Sequence, residues 1–160
     1  MKNRASSTDI KSVIIQLQKR RKLMFWILLV AIIVVFTVDG LFEVTQSKSL
    51  EIQTQHYLVY GLITYKMIEL FIIYTLFYSK HLKRYLQNPD NYDLLLKFEK
   101  NGKRFFMLVA QGNIVFGVIS FKLLANPFIF LLFMLFAVTT LLLVKPSTIN
   151  TSMENHTAND

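Results

Sequence analysis

Cysteine is absent from this 160-residue chain, and charged residues make up only 18% of it. The lack of thiols excludes disulfide bonds, thiolate metal sites, iron–sulfur clusters and a cysteine nucleophile. The low charge accompanies 53% apolar residues and a mean hydropathy of +0.41, which is too apolar for an ordinary soluble domain. Because the charged residues are also nearly missing from four apolar blocks, the composition favours an integral membrane protein.

Histidine is missing from the interior of these blocks, which argues against a haem held between membrane helices. His56 and His81 lie at the two ends of the second block, and His156 lies near the C-terminus. The sequence also lacks a Gly-rich phosphate loop, a zinc motif of the HExxH type and a serine elbow. We therefore expect no catalytic residue, cofactor or bound metal, and no enzyme activity.

The four apolar blocks are long enough to cross a bilayer as helices. They cover residues 23–42, 57–79, 105–124 and 127–144, and at about 1.5 Å per residue each approaches the roughly 30 Å of a hydrocarbon core. The first block is too long for a cleaved signal peptide and is followed by no small-x-small cleavage site. The sequence thus predicts an all-α integral membrane protein whose domain 23–144 contains four transmembrane helices in two antiparallel hairpins.

Lysine and arginine lie mostly on one side of the predicted spans. Segment 1–22 holds seven and the loop at 80–104 holds seven more, whereas the first and third loops hold one each, Lys48 and Lys122. Basic loops resist translocation, so both termini are predicted to be cytoplasmic, in a multi-pass protein of the cell (inner) membrane. Basic residues beside apolar spans favour the lipid bilayer and its anionic headgroups as partners, rather than nucleic acid.

The basic segment 1–22 has amphipathic helical periodicity. Its apolar residues recur at i, i+3, i+4 and i+7, which are Ile10, Val13, Ile14 and Leu17. Polar and basic residues fill the other faces, so we expect a short helix that lies on the cytoplasmic membrane surface before the first span, with binding to a specific protein partner as the alternative.

The second predicted loop contains the signals for another surface helix. Asn88 is a common capping residue, and Pro89 suits the first helical position. Asn101 and Gly102 are typical of a helix end. Because most apolar residues between these signals lie on one side of a helical wheel, the sequence predicts an amphipathic helix at 89–100 on the membrane surface.

Five polar residues interrupt the apolar blocks and form the candidate site: Asp39, Lys66, Glu69, Gln111 and Asn113. Ionisable groups cost roughly 2.5 to 3.5 kcal/mol each in hydrocarbon, so their presence needs a reason. Counted from the cytoplasmic ends, Asp39 lies at a depth of roughly 24 Å, Lys66 at roughly 20 Å and Glu69 at roughly 15 Å. Lys66 and Glu69 share a helix face, and an interhelical ion pair between Lys66 and Asp39 is geometrically reasonable.

Three interpretations of this polar cluster stay open. In the first, Lys66 bridges the two carboxylates and Asn113 adds hydrogen bonds, so that the cluster holds the spans in register. In the second, two carboxylates face one ammonium, which leaves one carboxyl group to exchange a proton or bind a cation. In the third, another subunit completes the cluster.

Small side chains form a stripe along the third span. Its members recur at spacings of 3, 4 and 3 and share one helix face: Ala110, Asn113, Gly117 and Ser120. Such a stripe lets a neighbouring backbone approach closely. We expect it to mark a helix contact within the bundle, with self-association as the alternative.

These features favour a non-catalytic accessory, assembly or regulatory subunit of a larger membrane complex. Its partner would be another membrane protein or a second copy of the chain. The inference depends on small size, on a polar cluster that largely neutralises itself, and on short external loops with little surface for ligand capture. One alternative function is a small oligomeric transporter or channel that moves a proton or cation through Glu69 or Asp39. Another is tethering of a partner at the membrane surface through residues 10–22 and 89–100.

The C-terminal segment 145–160 is rich in Ser, Thr and Asn and almost free of apolar residues. Such a segment cannot bury enough surface to fold, so we predict a disordered cytoplasmic tail. It contains two formal N-glycosylation sequences, which begin at Asn150 and Asn155.

We expect both asparagines to stay unmodified when the chain is expressed in a secretory pathway, because a cytoplasmic tail never meets the glycosylation machinery. The mass of the protein before and after glycosidase treatment measures this. Glycan at either site would place the tail on the outside and reverse the predicted topology.

Overall fold

The computed structural model of the protein describes residues 5–42 and 51–146, so Lys48 and most of the predicted tail lie outside the described residues. The regular elements within these ranges are helices: α1 Ser7–Phe42, α2 Ile52–Ile73, a π-helical segment Tyr74–Ser79, α3 Lys80–Gln87, α4 Tyr92–Leu124 and α5 Pro127–Leu143. The elements from α2 to α3 form one continuous helix of 36 residues. This helix, α1 and α4 are long and apolar enough to cross a membrane, and α5 is a shorter apolar helix of 17 residues. The predicted all-helical fold is confirmed at this level.

α4 is the central helix of the bundle. It packs against α1, against α2 and α3, and against α5, while α1 and α5 also contact each other. Within the described residues the backbones of α1 and α2 do not come close to each other, and each packs on α4 instead. α4 and α5, which are consecutive in the chain, pack against each other, whereas the two helices of the predicted first hairpin each pack on α4.

α4 and α5 approach each other closely at a glycine. A side-chain carbon at Gly117 would lie 2.8 Å from Phe130 Cδ2 and 3.2 Å from Phe130 Cε2, so the ring occupies the space that the glycine leaves. The chain reverses between the two helices at Ala125, which has a left-handed φ of 48°. Asn126 then caps α5 by accepting the amide proton of Phe128 at 3.0 Å.

The sequence predicted a separate surface helix before the first span, but α1 is unbroken over Ser7–Phe42. The first half of α1 is amphipathic as expected. Its apolar face, however, packs against α4 and buries Val13, Ile14 and Leu17. A side-chain carbon at Gly102 of α4 would lie only 2.9 Å from Leu17 Cδ2. A neighbouring helix covers the apolar residues of this segment as well as lipid would, and periodicity does not distinguish the two.

The predicted loop helix at 89–100 begins at a different residue in the structure. α4 begins after Asn91, whose side chain accepts the amide protons of Asp93 at 3.1 Å and Leu94 at 3.3 Å. Asn88, the predicted cap, instead follows the last residue of α3. Asparagine is a good capping residue at either position. Asn91 is the cap because its side chain reaches the free amide groups at the start of α4, whereas Asn88 lies at the end of α3.

The same helix also does not end at Asn101 and Gly102, and α4 continues to Leu124. Asn101 Nδ2 donates to the Lys97 carbonyl oxygen at 2.8 Å within the helix. Gly102 is buried against α1 with helical backbone geometry, since no described glycine has a positive φ. Gly102 therefore serves close helix approach rather than helix termination.

The helices extend beyond the predicted spans and pack there around aromatic rings. Tyr85 of α3 is fully buried and stacks on Phe98 of α4, with ring centroids 6.5 Å apart. This burial, together with the negative charge of Asp90, raises the pKa of Tyr85 to about 12. The buried positions Ile73 and Tyr78 are five residues apart, a step that the wider π-helical turns accommodate. The π-helical segment thus turns Tyr78 toward α4, where its ring centroid lies 5.4 Å from that of Phe98.

We expect Gly117→Ala to lower the melting temperature of the purified protein in detergent micelles. The added carbon overlaps the Phe130 ring, and overpacking of this kind costs about 1–3 kcal/mol. Gly61→Ala is the matched control, since a carbon there meets no atom within 4 Å and alanine favours a helix over glycine by about 1 kcal/mol. Thermal unfolding followed by circular dichroism compares the variants. A melting temperature of Gly117→Ala at or above wild type would contradict this packing of α4 on α5.

Candidate functional site

Lys66 and Glu69 form an ion pair on the side of α2 that meets α4. Lys66 Nζ donates to Glu69 Oε2 at 2.8 Å, and the two residues are three positions apart. The Lys66 side chain is fully buried, whereas 24% of the Glu69 side chain is exposed. A buried ammonium needs a counterion to offset its lost hydration, and Glu69 supplies this negative charge.

α4 provides the rest of the Lys66 environment. A side-chain carbon at Gly112 would collide with Lys66 Nζ, so the ammonium lies directly against the α4 backbone. One turn later, the ring of Phe116 faces the same ammonium, with Nζ 5.0 Å from the ring centroid, which is within cation–π range. The sequence predictions included neither residue, although a glycine inside a predicted span is a signal for close approach.

Asp39 does not join this pair. It is partly exposed on α1, and α1 has no contact with α2 in the described part of the chain. No described residue forms an ion pair with Asp39. The Lys66–Asp39 pair that the depths favour is therefore absent, and among the described residues one carboxylate, that of Glu69, pairs with the ammonium. Counting along helices gives the level of a residue but not which helix lies next to it.

The two amide residues of the predicted cluster lie in different environments. Asn113 is fully buried, and its Nδ2 donates to the Val109 carbonyl oxygen at 2.7 Å. Its Oδ1 has no hydrogen-bond partner among the described residues. Gln111 is exposed on the surface of α4. The structure therefore brings together Lys66 and Glu69 but leaves Gln111 outside their contact.

The small-residue stripe is covered within a single chain. Its four members are buried: Ala110, Asn113, Gly117 and Ser120. Gly117 lies against α5, where an added carbon would be 3.4 Å from Met134 Cε as well as close to Phe130. The stripe thus lies in a helix contact inside the bundle, and self-association through it would require α5 to move away.

One face of α4 remains uncovered. Four of its exposed residues follow each other at spacings of 4, 3 and 4 and therefore share a side of the helix, next to the exposed Ile119: Gln111, Val115, Val118 and Lys122. Val115 is 54% exposed and Val118 is 42% exposed. Met107, which contacts Arg20 of α1, and Gly112, which contacts Lys66 of α2, lie on opposite sides of these residues on the helix, so the open face lies between α1 and α2. We call it the open face of α4.

The described residues hold no cluster that suits a metal ion: within 5–42 and 51–146, no three histidine, cysteine, aspartate or glutamate side chains come together. No protein-family model, curated protein or solved structure matches this chain. The features that bear on function are the Lys66–Glu69 pair, the open face of α4, and the basic residues that α1, α3 and α4 carry outside the predicted spans.

Glu69→Gln is expected to destabilise the protein, because it leaves the buried Lys66 ammonium without a counterion. Breaking a buried pair costs about 3–5 kcal/mol, and the partial exposure of Glu69 places the expected loss near or below the lower end of that range. The double variant Lys66→Met/Glu69→Gln should recover most of the loss, since no buried charge remains. Melting temperatures of the wild type, both single variants and the double variant complete the cycle. Strictly additive changes would show that the two side chains do not interact.

Proposed function

We propose that this protein is a multi-pass integral membrane protein with four spans and both termini in the cytoplasm. The levels of the helix ends support this placement. Arg21 Nη1 donates to the Val144 carbonyl oxygen at 3.2 Å, and Tyr78 Oη donates to the Lys145 carbonyl oxygen at 3.3 Å. The cytoplasmic ends of the predicted first, second and fourth spans are therefore level with one another. The two basic segments continue from these ends on the same side, as the positive-inside rule requires.

Within that membrane placement, the protein would act as a non-catalytic accessory, assembly or regulatory subunit of a larger membrane complex. The observation that carries this role is the exposure of Gln111 on the open face of α4. Counted from Phe105, Gln111 lies about 9 Å inside the hydrocarbon. A lipid-facing carboxamide at that depth has few partners for its hydrogen bonds, and each unsatisfied polar group there costs several kcal/mol.

A second membrane helix in the gap between α1 and α2 would remove this cost. It would cover Val115 and Val118 and provide hydrogen-bonding groups to the Gln111 side chain. Membrane helices associate through such side-chain amides, and neighbouring small apolar residues allow the close contact that the hydrogen bond needs. The occupant would be another membrane protein or a second copy of the chain.

The ion pair supports a structural role for the charged groups. Lys66 is fully buried and is neutralised by Glu69, while Asp39 is on a helix that α4 separates from α2. The pair therefore fixes α2 against α4. Transport through Glu69 is the alternative function, and the 24% exposure of its side chain is the observation that favours it, because a carrier carboxylate must reach the conduction path.

A photo-crosslinking residue in place of Val115 is expected to form an adduct with one membrane protein when native membranes are irradiated. Phe71, which is 72% exposed on α2, is the control position and should give lipid adducts only. Gln111→Leu should weaken the Val115 adduct roughly 3- to 30-fold, the effect of losing one interhelical hydrogen bond. Gel mobility and mass spectrometry identify the adducts. Lipid adducts alone at both positions would contradict a partner on the open face.

Proton flux into vesicles that contain the purified protein distinguishes the two functions. The accessory role predicts no flux above that of empty vesicles for the wild type or for Glu69→Gln. Flux in the wild type that Glu69→Gln abolishes would show that the protein is a transporter and overturn the proposed role.

A further inference from the structure

A basic pocket lies between α1 and α4 at the level where the predicted spans end. It has a volume of about 450 Å³. Four of the lining residues are basic and two are apolar: Lys19, Arg20, Lys103 and Arg104, with Leu23 and Met107. No lining residue is acidic. The pocket is thus a positively charged cavity with an apolar wall.

The hydrogen bonding of Arg20 is incomplete. Its Nη2 donates to the thioether sulfur of Met107 at 3.6 Å, and a thioether is a weak acceptor. Its Nε is buried and has no acceptor among the described residues. A guanidinium has five donors in a fixed fork and usually meets carboxylate or phosphate oxygens. The Arg20 guanidinium therefore lines a pocket without an acid and has no oxygen acceptor among the described residues.

Only one of the four basic side chains is already paired. Lys103 Nζ contacts Glu99 Oε1 and donates to Gln16 Oε1 at 2.6 Å. Lys19, Arg20 and Arg104 form no ion pair with a described residue. Four basic groups and one carboxylate leave three positive charges around the pocket. An anion would reduce the repulsion between them.

The pocket lies at headgroup level in the proposed membrane placement. Leu23 is the first residue of the first predicted span, and Met107 lies just inside the third. Arg20 and Arg104 are on the cytoplasmic side of these two apolar residues. A phospholipid presents its groups in the same order, with a phosphate at the level of the basic side chains and acyl carbons beside the apolar wall.

We propose that this pocket binds the phosphate-bearing headgroup of an anionic phospholipid of the cytoplasmic leaflet. Arg20 is the main phosphate ligand, because its planar fork matches two phosphate oxygens. Lys19 and Arg104 add positive charge, and Leu23 and Met107 contact the first acyl carbons. The site depends on the membrane placement proposed above but not on the accessory role. A soluble phosphate ester has the same oxygen chemistry without the acyl chains, so the experiment includes both.

Native mass spectrometry of the purified full chain tests the site, with phosphatidylglycerol, phosphatidylcholine and glycerol phosphate as the probes. We expect one retained phosphatidylglycerol per chain in preference to phosphatidylcholine. Lys19→Gln/Arg20→Gln should reduce that retention by at least about tenfold, as expected for charge-assisted hydrogen bonds. Lys83→Gln/Arg84→Gln is the matched control, because it removes one lysine and one arginine from exposed positions on α3. The control should retain the lipid as the wild type does.

Two results would overturn the proposal. Equal losses in the pocket variant and the control would show that the lipid is held only by diffuse surface charge. Complete displacement of the lipid by glycerol phosphate would assign the pocket to a soluble phosphate ester.

Melting temperatures measured with phosphatidylcholine alone identify a folding defect. If the pocket variant has a folding defect, Arg20→Lys is used in its place. This variant keeps the positive charge but loses the planar guanidinium, and it should still lose most of the preference for phosphatidylglycerol. Release of the protein from membranes by alkaline carbonate would instead disprove the membrane placement itself.

Discussion

The bundle depends on the close approach of three helices to α4, and glycine makes each approach possible. Each glycine of α4 meets a different neighbour: Gly102 meets Leu17 of α1, Gly112 meets Lys66 of α2, and Gly117 meets Phe130 of α5. A glycine inside a helix costs roughly 1 kcal/mol relative to alanine. Contacts that a larger side chain would prevent offset this cost, because packing contacts drive helix association in lipid. The central position of α4, and the separation of α1 from α2, follow from these three contacts.

The Lys66–Glu69 pair is best explained by the weak packing of α2. Only four side chains of α2 are buried, namely Gln55, Val59, Lys66 and Ile73. In a bilayer an apolar side chain gains little free energy by moving from lipid into a protein contact. The few buried side chains of α2 therefore define its position along α4 poorly. An ion pair held against the Gly112 backbone has one favourable position along α4. Buried ion pairs add little net stability, but they can specify register, which is the role we assign to this pair.

Features that depend on composition and on helical periodicity could be predicted from the sequence. Features that depend on which helices are neighbours could not. The apolar blocks and the face shared by Ala110 and Gly117 could be read directly, because both follow from helix geometry. The partner of Lys66 could not, since depth along a helix does not show which helix lies beside it. Gly102 has the properties of a helix end and of a close contact alike. The contact with Leu17 in the folded structure shows that Gly102 serves the close contact.

In the proposed membrane placement, the length of the helices determines which basic residues lie close to the lipid headgroups. α1 contains 36 residues, about 54 Å of helix, so nearly half of it extends beyond a hydrocarbon core of roughly 30 Å. Lys11 then lies about 18 Å from the end of its span, which is roughly 11 Å beyond a headgroup layer of about 7 Å. This distance exceeds a Debye length of about 8 Å at physiological salt, so Lys11 gains little from anionic lipid, whereas Lys97, about 12 Å from the end of its span, stays within reach of the headgroups. Attraction to headgroups is therefore concentrated at the level of Arg20 and Arg104. The outer basic residues lie on a helical extension, where, in the proposed placement, their charge would keep this end of the bundle in the cytoplasm.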